Sequence, residues 1–297
     1  VAFAKHLEGI SGESDSEADE EVDETSEVKA KFQLHLSGTP YKAMLRGDYN
    51  EDQIFEWTYT QEQIEKERRK EVPNNDYASL PTMQIYNYSL DGELLSKAIE
   101  KGLDEFSLRQ FFSAKRSAGG HYEFENPNDV DRFLNLIRGV GVSRLDDEYD
   151  VECYPYSGNR FRAATRDSIW LLSNVAQCQA MFDKLVSHPY YSQFTIHRAF
   201  GQKAGVGADA LPPLRRAISA SRQESSLGTI TLTCGKLMTG ITVKEWGSIF
   251  MLTTLKAPES YFQAAFRVQS PWVESGEIKK TECYVFEFDP NRALSLV

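Results

Sequence analysis

Gln263 and Arg267 stand four positions apart in PESYFQAAFRV (258–268), a segment with helical spacing and a proline at its start. Four residues make about one helical turn, so both side chains fall on one face. A guanidinium held this way can meet a triphosphate bound elsewhere and stabilise charge on the transferring phosphoryl group. The same pair also suits a plain solvated face. A second stretch, TITLTCGKLMTGITV (229–243), passes from alternating β-branched residues into a loop with Lys236, Thr239 and Gly240. Ligands of open α/β sheets sit at the carboxyl ends of strands, where this loop falls. Thr233 and Thr239 can bind phosphate or sugar oxygens there and Lys236 can supply charge, although the stretch alone also reads as a polar surface loop. The third is Leu36-Ser37-Gly38-Thr39-Pro40. A strand ending in such a turn exposes backbone N–H groups and the Ser37 and Thr39 hydroxyls beside a phosphate. Taken alone, it is only a turn.

The elements that must position these residues follow from the hydrophobic pattern. SIWLLS (168–173) and SIFMLTT (248–254) are continuous apolar runs of the kind buried in a parallel sheet. QFTIHRAF (193–200), TITLT (229–233) and the segment Cys283 to Phe288 also read as strands. Between them VAQCQAMFDKLVSH (175–188), LPPLRRAISASRQ (211–223) and PESYFQAAFRV (258–268) have helical spacing. The alternation predicts an α/β fold with a parallel sheet flanked by helices. Upstream, KFQLHL predicts a short strand, Asp52 to Lys70 a charged helix, and MQIYNYSL (83–90) a strand. Residues 94–117 and 127–138 show helical periodicity on either side of Gly119-Gly120. With the polar stretch to about 165 they form a helical insertion ahead of the next core strand.

Composition narrows the function classes. The 297 residues are 41% hydrophobic and 12% aromatic, which suits a globular, cytoplasmic chain with a real core. The net charge is −11, yet Glu13 to Glu27 hold nine acidic residues and no basic one, leaving the other residues near −2. That segment reads as an acidic loop or linker, too flexible in composition to hold the carboxylates of a nuclease. Cys153, Cys178, Cys234 and Cys283 lack CxxC spacing, and His6, His35, His121, His188 and His197 show no metal-site or Ser-His-Asp grouping. No metal ligands are therefore expected. No apolar run approaches the roughly 20 residues that cross a bilayer, so no membrane partner is expected either. The chain starts at Val1 without methionine and stops just after a strand-like segment, as a piece of a longer protein would.

Taken in order, LSGTP, TLTCGKLMTGITV and ESYFQAAFRVQSPW resemble motifs III, V and VI of superfamily-two helicases, with SIWLLSN (168–174) in the place of motif IV. LSGTPYKAML and SYFQAAFRVQSPW most resemble the DEAD/DEAH-type helicase parts of bacterial ATP-dependent restriction enzymes. The similarity covers roughly 32–90 and 166–292. It implies the end of a first RecA-like lobe at 1–42, an inter-lobe linker at 43–80, and a second RecA-like lobe at 81–297 carrying the insertion at about 94–165. Such proteins move along duplex DNA using ATP and Mg2+ bound between two lobes. By resemblance, Ser37 and Thr39 couple the nucleotide site to the lobe interface, while Gly240 and Thr239 lie near the nucleotide. Thr233, Lys236 and Asn174 approach the DNA backbone, and Gln263 and Arg267 face the γ-phosphate. The implied partners are duplex DNA, the missing first lobe and other restriction-enzyme subunits.

The chain departs from the family pattern at three places. Motif VI commonly runs Gln-x-x-Gly-Arg-x-Gly-Arg, and here Phe266 replaces the first Gly and Ser270 the second Arg. Motif V commonly has an acidic residue where this chain has Thr242. No GxxxxGK[ST] phosphate loop and no DEAD-like segment occur, so the chain alone is not expected to hydrolyse ATP. A non-catalytic binding module on a helicase-like fold is the alternative.

Overall fold

The computed structural model describes residues 34–36, 47, 49–73, 75–88, 107–140, 154–201, 204, 205 and 207–289. The chain divides into two units, 1–37 and 38–297. Of the first unit only residues 34–36 are described, and they belong to no helix or strand. Residues 31–33 of the strand expected in KFQLHL lie outside the described residues, and 34–36 are not in a strand.

In the second unit the elements run α1 (Tyr59–Arg68), β1 (Thr82–Asn87), α2 (Leu108–Phe111), β2 (Ala114–Arg116), β3 (Tyr122–Phe124), α3 (Pro127–Leu136), α4 (Arg162–Thr165), β4 (Asp167–Leu171), α5 (Val175–Ser187), β5 (Thr195–Ala199), α6 (Leu211–Gln223), β6 (Thr229–Thr233), β7 (Ser248–Met251), α7 (Pro258–Ala265), β8 (Val273–Glu274), β9 (Glu277–Ile278) and β10 (Glu282–Glu287). Six strands form one sheet in the order β1-β10-β7-β4-β6-β5. Every pairing in it is parallel. This is the mixed α/β architecture the sequence predicts, with the sheet flanked by helices as in a RecA-like lobe.

The central strands are buried on both faces, which explains their unbroken apolar runs. Successive side chains point to opposite faces, and here the two faces differ in chemistry. Trp170, Phe250, Tyr284, Phe286 and Phe288 look to one side and join an aromatic core with Tyr156, Phe161 and Tyr191. Ile169, Leu171, Ile249, Met251, Cys283 and Val285 look to the other and join an aliphatic core. Helix α5 closes the aromatic side with Cys178, Met181 and Leu185, at helical spacing. Helices α6 and α7 close the aliphatic side through Leu214, Ile218, Tyr261, Ala264 and Ala265. Prolines within the first turns of α3, α6 and α7 start those helices at no hydrogen-bonding cost.

The insertion is not wholly helical. Residues 114–116, expected in a helix, pair as β2 with β3 in an antiparallel hairpin. Gly120, at φ +83°, makes the reversal, and Ser117 N–H donates to His121 O at 2.7 Å. Within 94–117 the described helix is Leu108–Phe111, residues 94–106 lying outside the described residues, and the helix expected at 127–138 forms as α3. Nor is the insertion a separate body. Leu108, Phe112, Phe124, Val130, Phe133 and Leu134 belong to the same aromatic core as the sheet, and the Phe133 and Phe288 rings meet edge to face at 5.0 Å. No helix among the described residues is long and apolar enough to cross a membrane.

Candidate functional site

Parallel strands bring their carboxyl ends to one edge of the sheet, and the predicted residues 174, 233 and 236 gather along it. After β4 the chain passes through Ser173 to Asn174, whose side-chain oxygen accepts from Gln177 N–H at 3.0 Å and caps α5. Gln177 is fully buried; its amide oxygen accepts from Ser173 N–H at 3.1 Å and its amide nitrogen donates to Arg109 O at 2.8 Å. The insertion is thus tied to the first turn of α5. Along the same edge Ser173 and Thr253 share a hydroxyl contact of 2.8 Å, and the Thr254 hydroxyl donates to Asp289 at 2.6 Å. These four residues form a polar rim that sequence reasoning missed, because isolated Ser and Thr at strand ends carry no spacing signal.

The loop after β6 is held from both sides. The buried Thr233 hydroxyl donates to Lys236 O at 2.5 Å, and the Lys236 ammonium donates to Gly201 O at 2.6 Å and Gly205 O at 2.8 Å. Both predicted residues meet, but two of the three ammonium protons are spent on pinning the loop that follows β5. Leu237, Ile241 and Val243 insert into the aliphatic core, whereas Thr239, Gly240 and Thr242 are exposed. Gly240 sits at φ +72° with nothing within 4 Å of where a Cβ would stand.

Helix α7 and the 3-10 turn after it carry the charged end of the site. Gln263 is exposed and Arg267 half-buried. Arg267 Nε donates to Gln263 O at 3.2 Å, and a terminal guanidinium nitrogen donates to Ile241 O at 2.9 Å. The stretches 229–243 and 258–268, far apart in sequence, are therefore joined through one guanidinium. Burial pushes its pKa down, yet a guanidinium keeps its charge at neutral pH. Among the described residues it has no carboxylate partner. Phe266 stacks on Phe262 at 5.8 Å and lies 6.5 Å from the Tyr59 ring, while Gln269 donates to Glu62 at 3.1 Å. Helix α1 thus braces this turn. Ser37 and Thr39 lie outside the described residues.

The chain is 30% identical, over 310 aligned residues, to a Mycoplasma pneumoniae protein that carries a provisional name as the C-terminus of a type II restriction enzyme and methyltransferase. The alignment takes in 96% of this chain but 42% of that protein, so the chain spans under half of its relative's length. No family profile matches the chain.

One further residue holds the site together and was not foreseen. Lys280 is buried, and its ammonium donates to Trp246 O at 2.7 Å and Val268 O at 2.9 Å, joining the chain after the β6 loop to the turn after α7. Nothing in IKKTECYVF separates it from the exposed Lys279. Burial lowers its pKa to about 8, with Cys283 and Glu245 acting weakly the other way. A base whose folded pKa lies below its unfolded value binds fewer protons when folded, so stability rises with pH through that window. Between about pH 8 and pH 9 this group contributes a rise of about 1 kcal/mol. Denaturant midpoints should show that rise in the wild type and its loss in Lys280→Met. An equal slope in both proteins excludes Lys280 as its source.

Proposed function

We propose that this chain is a motor lobe: the second RecA-like half of an ATP-dependent DNA translocase belonging to a restriction enzyme. The observation that carries the reading is the Arg267 guanidinium, half-buried, aligned by two backbone carbonyls and without a carboxylate partner among the described residues. A guanidinium so held retains N–H donors and a charge that an anion can satisfy. On this reading Arg267 and Gln263 meet the γ-phosphate of ATP, and Gly240 and Thr239 line the nucleotide's side of the β6 loop. The edge at Asn174, Thr233 and Lys236 follows the DNA backbone. Lys236 retains one ammonium proton for a phosphate oxygen, and Thr233 positions the loop rather than donating outward.

Magnesium does not fit here. Among the described residues no group of three His, Cys, Asp or Glu could hold a metal ion. The sequence also lacks a phosphate loop. The metal and most of the triphosphate belong, on this reading, to the first lobe, which the rest of a longer protein would supply. ATP contributes the transferring phosphoryl group; these residues align and neutralise it.

A second reading has one specific observation behind it. Phe266 fills the place of a helicase glycine and is packed against Phe262 and Tyr59, as in a module that kept the fold and not the chemistry. ATP hydrolysis by the longer protein, measured with and without duplex DNA, separates the two. The motor reading requires DNA-stimulated turnover that Arg267→Ala removes. A folded protein that binds DNA without stimulated hydrolysis is a binding module.

A further inference from the structure

The insertion meets the start of α5 across a cleft. Helix α2 reads Leu-Arg-Gln-Phe, and the residues along it divide by chemistry. Leu108 and Phe112 are fully buried in the aromatic core, whereas Arg109 and Gln110 are exposed. Those two, with Ser107 and Ser113 at either end of the helix, form one wall of the cleft, and Asn174 and Gln177 form the other. The walls are tied at their base, since the buried Gln177 amide donates to Arg109 O at 2.8 Å, 68 residues away in the chain. Gln177 N–H also donates to the Asn174 side-chain oxygen at 3.0 Å. Arg109 is thereby held beside the carboxyl edge of the sheet.

The lining decides what the cleft can hold. Its volume is about 480 Å³, it opens to solvent, and Ala114 is the one apolar residue on its walls. Small-molecule sites are mostly apolar and enclosed, so this cleft suits a polar ligand that stays partly in water. Arg109 brings its single formal charge, and no carboxylate lines it. Around the guanidinium, two hydroxyls and the amides of Gln110 and Asn174 offer further donors. A cation ringed by neutral donors and free of acidic neighbours is matched to an anion. We propose that this cleft takes a phosphate of a DNA backbone, with Arg109 as the charged contact and Ser107, Gln110, Ser113 and Asn174 as neutral donors. The proposal rests on the reading that the carboxyl edge follows DNA, and it carries that track from the sheet onto the insertion. Such a contact positions the duplex and carries no base preference.

Fluorescence anisotropy of labelled DNA duplexes with the whole folded chain, across a salt series, tests this. At about 0.1 M salt Arg109→Gln should raise Kd about tenfold, equally on two unrelated duplexes, and flatten the slope of log K against log salt by about one. Arg109→Lys should keep the wild-type slope, because it keeps the charge. Gln110→Glu preserves shape but puts a carboxylate in the cleft, and it should weaken binding at least as much as Arg109→Gln. Both side chains are exposed, so these variants should fold, with circular dichroism as the check. Arg162→Gln is the control: it removes an exposed arginine at the opposite, amino-terminal edge of the sheet and should change Kd by less than about twofold. If the wild type binds duplex and Arg109→Gln binds as well, or no worse than Arg162→Gln, the cleft is overturned and the reading of the edge stands. A wild type that binds no duplex at any salt overturns both.

Discussion

On the proposed motor reading, Arg267→Lys in the two-lobed protein should lose nearly as much DNA-stimulated ATP hydrolysis as Arg267→Ala, about 10³-fold or more in kcat. The magnitude is that of an arginine that stabilises charge on a transferring phosphoryl group. The near-equality is the sharper part, and it follows from the bonding. Arg267 uses Nε on Gln263 O and one terminal nitrogen on Ile241 O. The remaining donors belong to the same fixed fork, so on the motor reading alignment and phosphate contact come from different corners of one planar group. A lysine ammonium has no such division: held by the two carbonyls it cannot reach outward, and reaching outward it leaves them unsatisfied. Both variants should fold, because the guanidinium is half-exposed and removing it deletes no core volume. Steady-state ATPase kinetics at saturating duplex DNA, with circular dichroism as the folding control, decide the matter. Retention of more than about a tenth of wild-type kcat in Arg267→Lys would show that charge alone suffices and that the fork has no role.

Gly228→Ala should be the most damaging small substitution in the sheet, costing about 4 kcal/mol or more. Gly228 sits at φ +149°, and a Cβ there would stand 1.8 Å from Arg166 O and 2.6 Å from the Arg166 carbonyl carbon. The obstructing atoms are backbone, so no rotamer change relieves the clash. Nor can the backbone yield cheaply. Arg166 O accepts from Thr229 N–H at 2.7 Å at the start of the β4–β6 ladder, and Gly228 O accepts from Thr195 N–H at 2.9 Å at the start of β5–β6. Opening a gap at Gly228 therefore strains both ladders of β6. Gly240→Ala supplies the contrast: its φ is also positive, +72°, but no atom lies within 4 Å, so only conformational strain of about 1 kcal/mol applies. Denaturant midpoints for the two variants should differ by several-fold in their shift from wild type. Failure of Gly228→Ala to yield folded protein agrees with the larger cost; a stability equal to that of Gly240→Ala refutes the steric argument.

How far the sequence could be read depends on which interactions encode each feature. The strands at 167–171, 229–233 and 248–251 and the helices at 175–187 and 211–223 are close to where the hydrophobic period puts them. Local pattern and burial agree there. Strand β2 falls within a stretch expected to be helical because Leu108, Phe111 and Phe112 supply helical spacing just before it, while the strands of the β2–β3 hairpin are only three residues each. Such strands hold by pairing, and pairing partners are not visible in a period.

The sequence by itself determined the class of fold, the identity of the chemically able residues and their order along the chain, because each rests on contacts a few residues apart. Only the tertiary structure decided which of those groups still face outward. Lys236 and Asn174 look equally available in the sequence, yet the first spends two ammonium protons on the carbonyls of Gly201 and Gly205 and the second spends its side-chain oxygen capping α5. Arg267 gained its anchor from Ile241, 26 residues earlier. Hydrogen-bond partners at that separation are set by how parallel strands bring their carboxyl ends to one edge. That arrangement is a property of the assembled sheet.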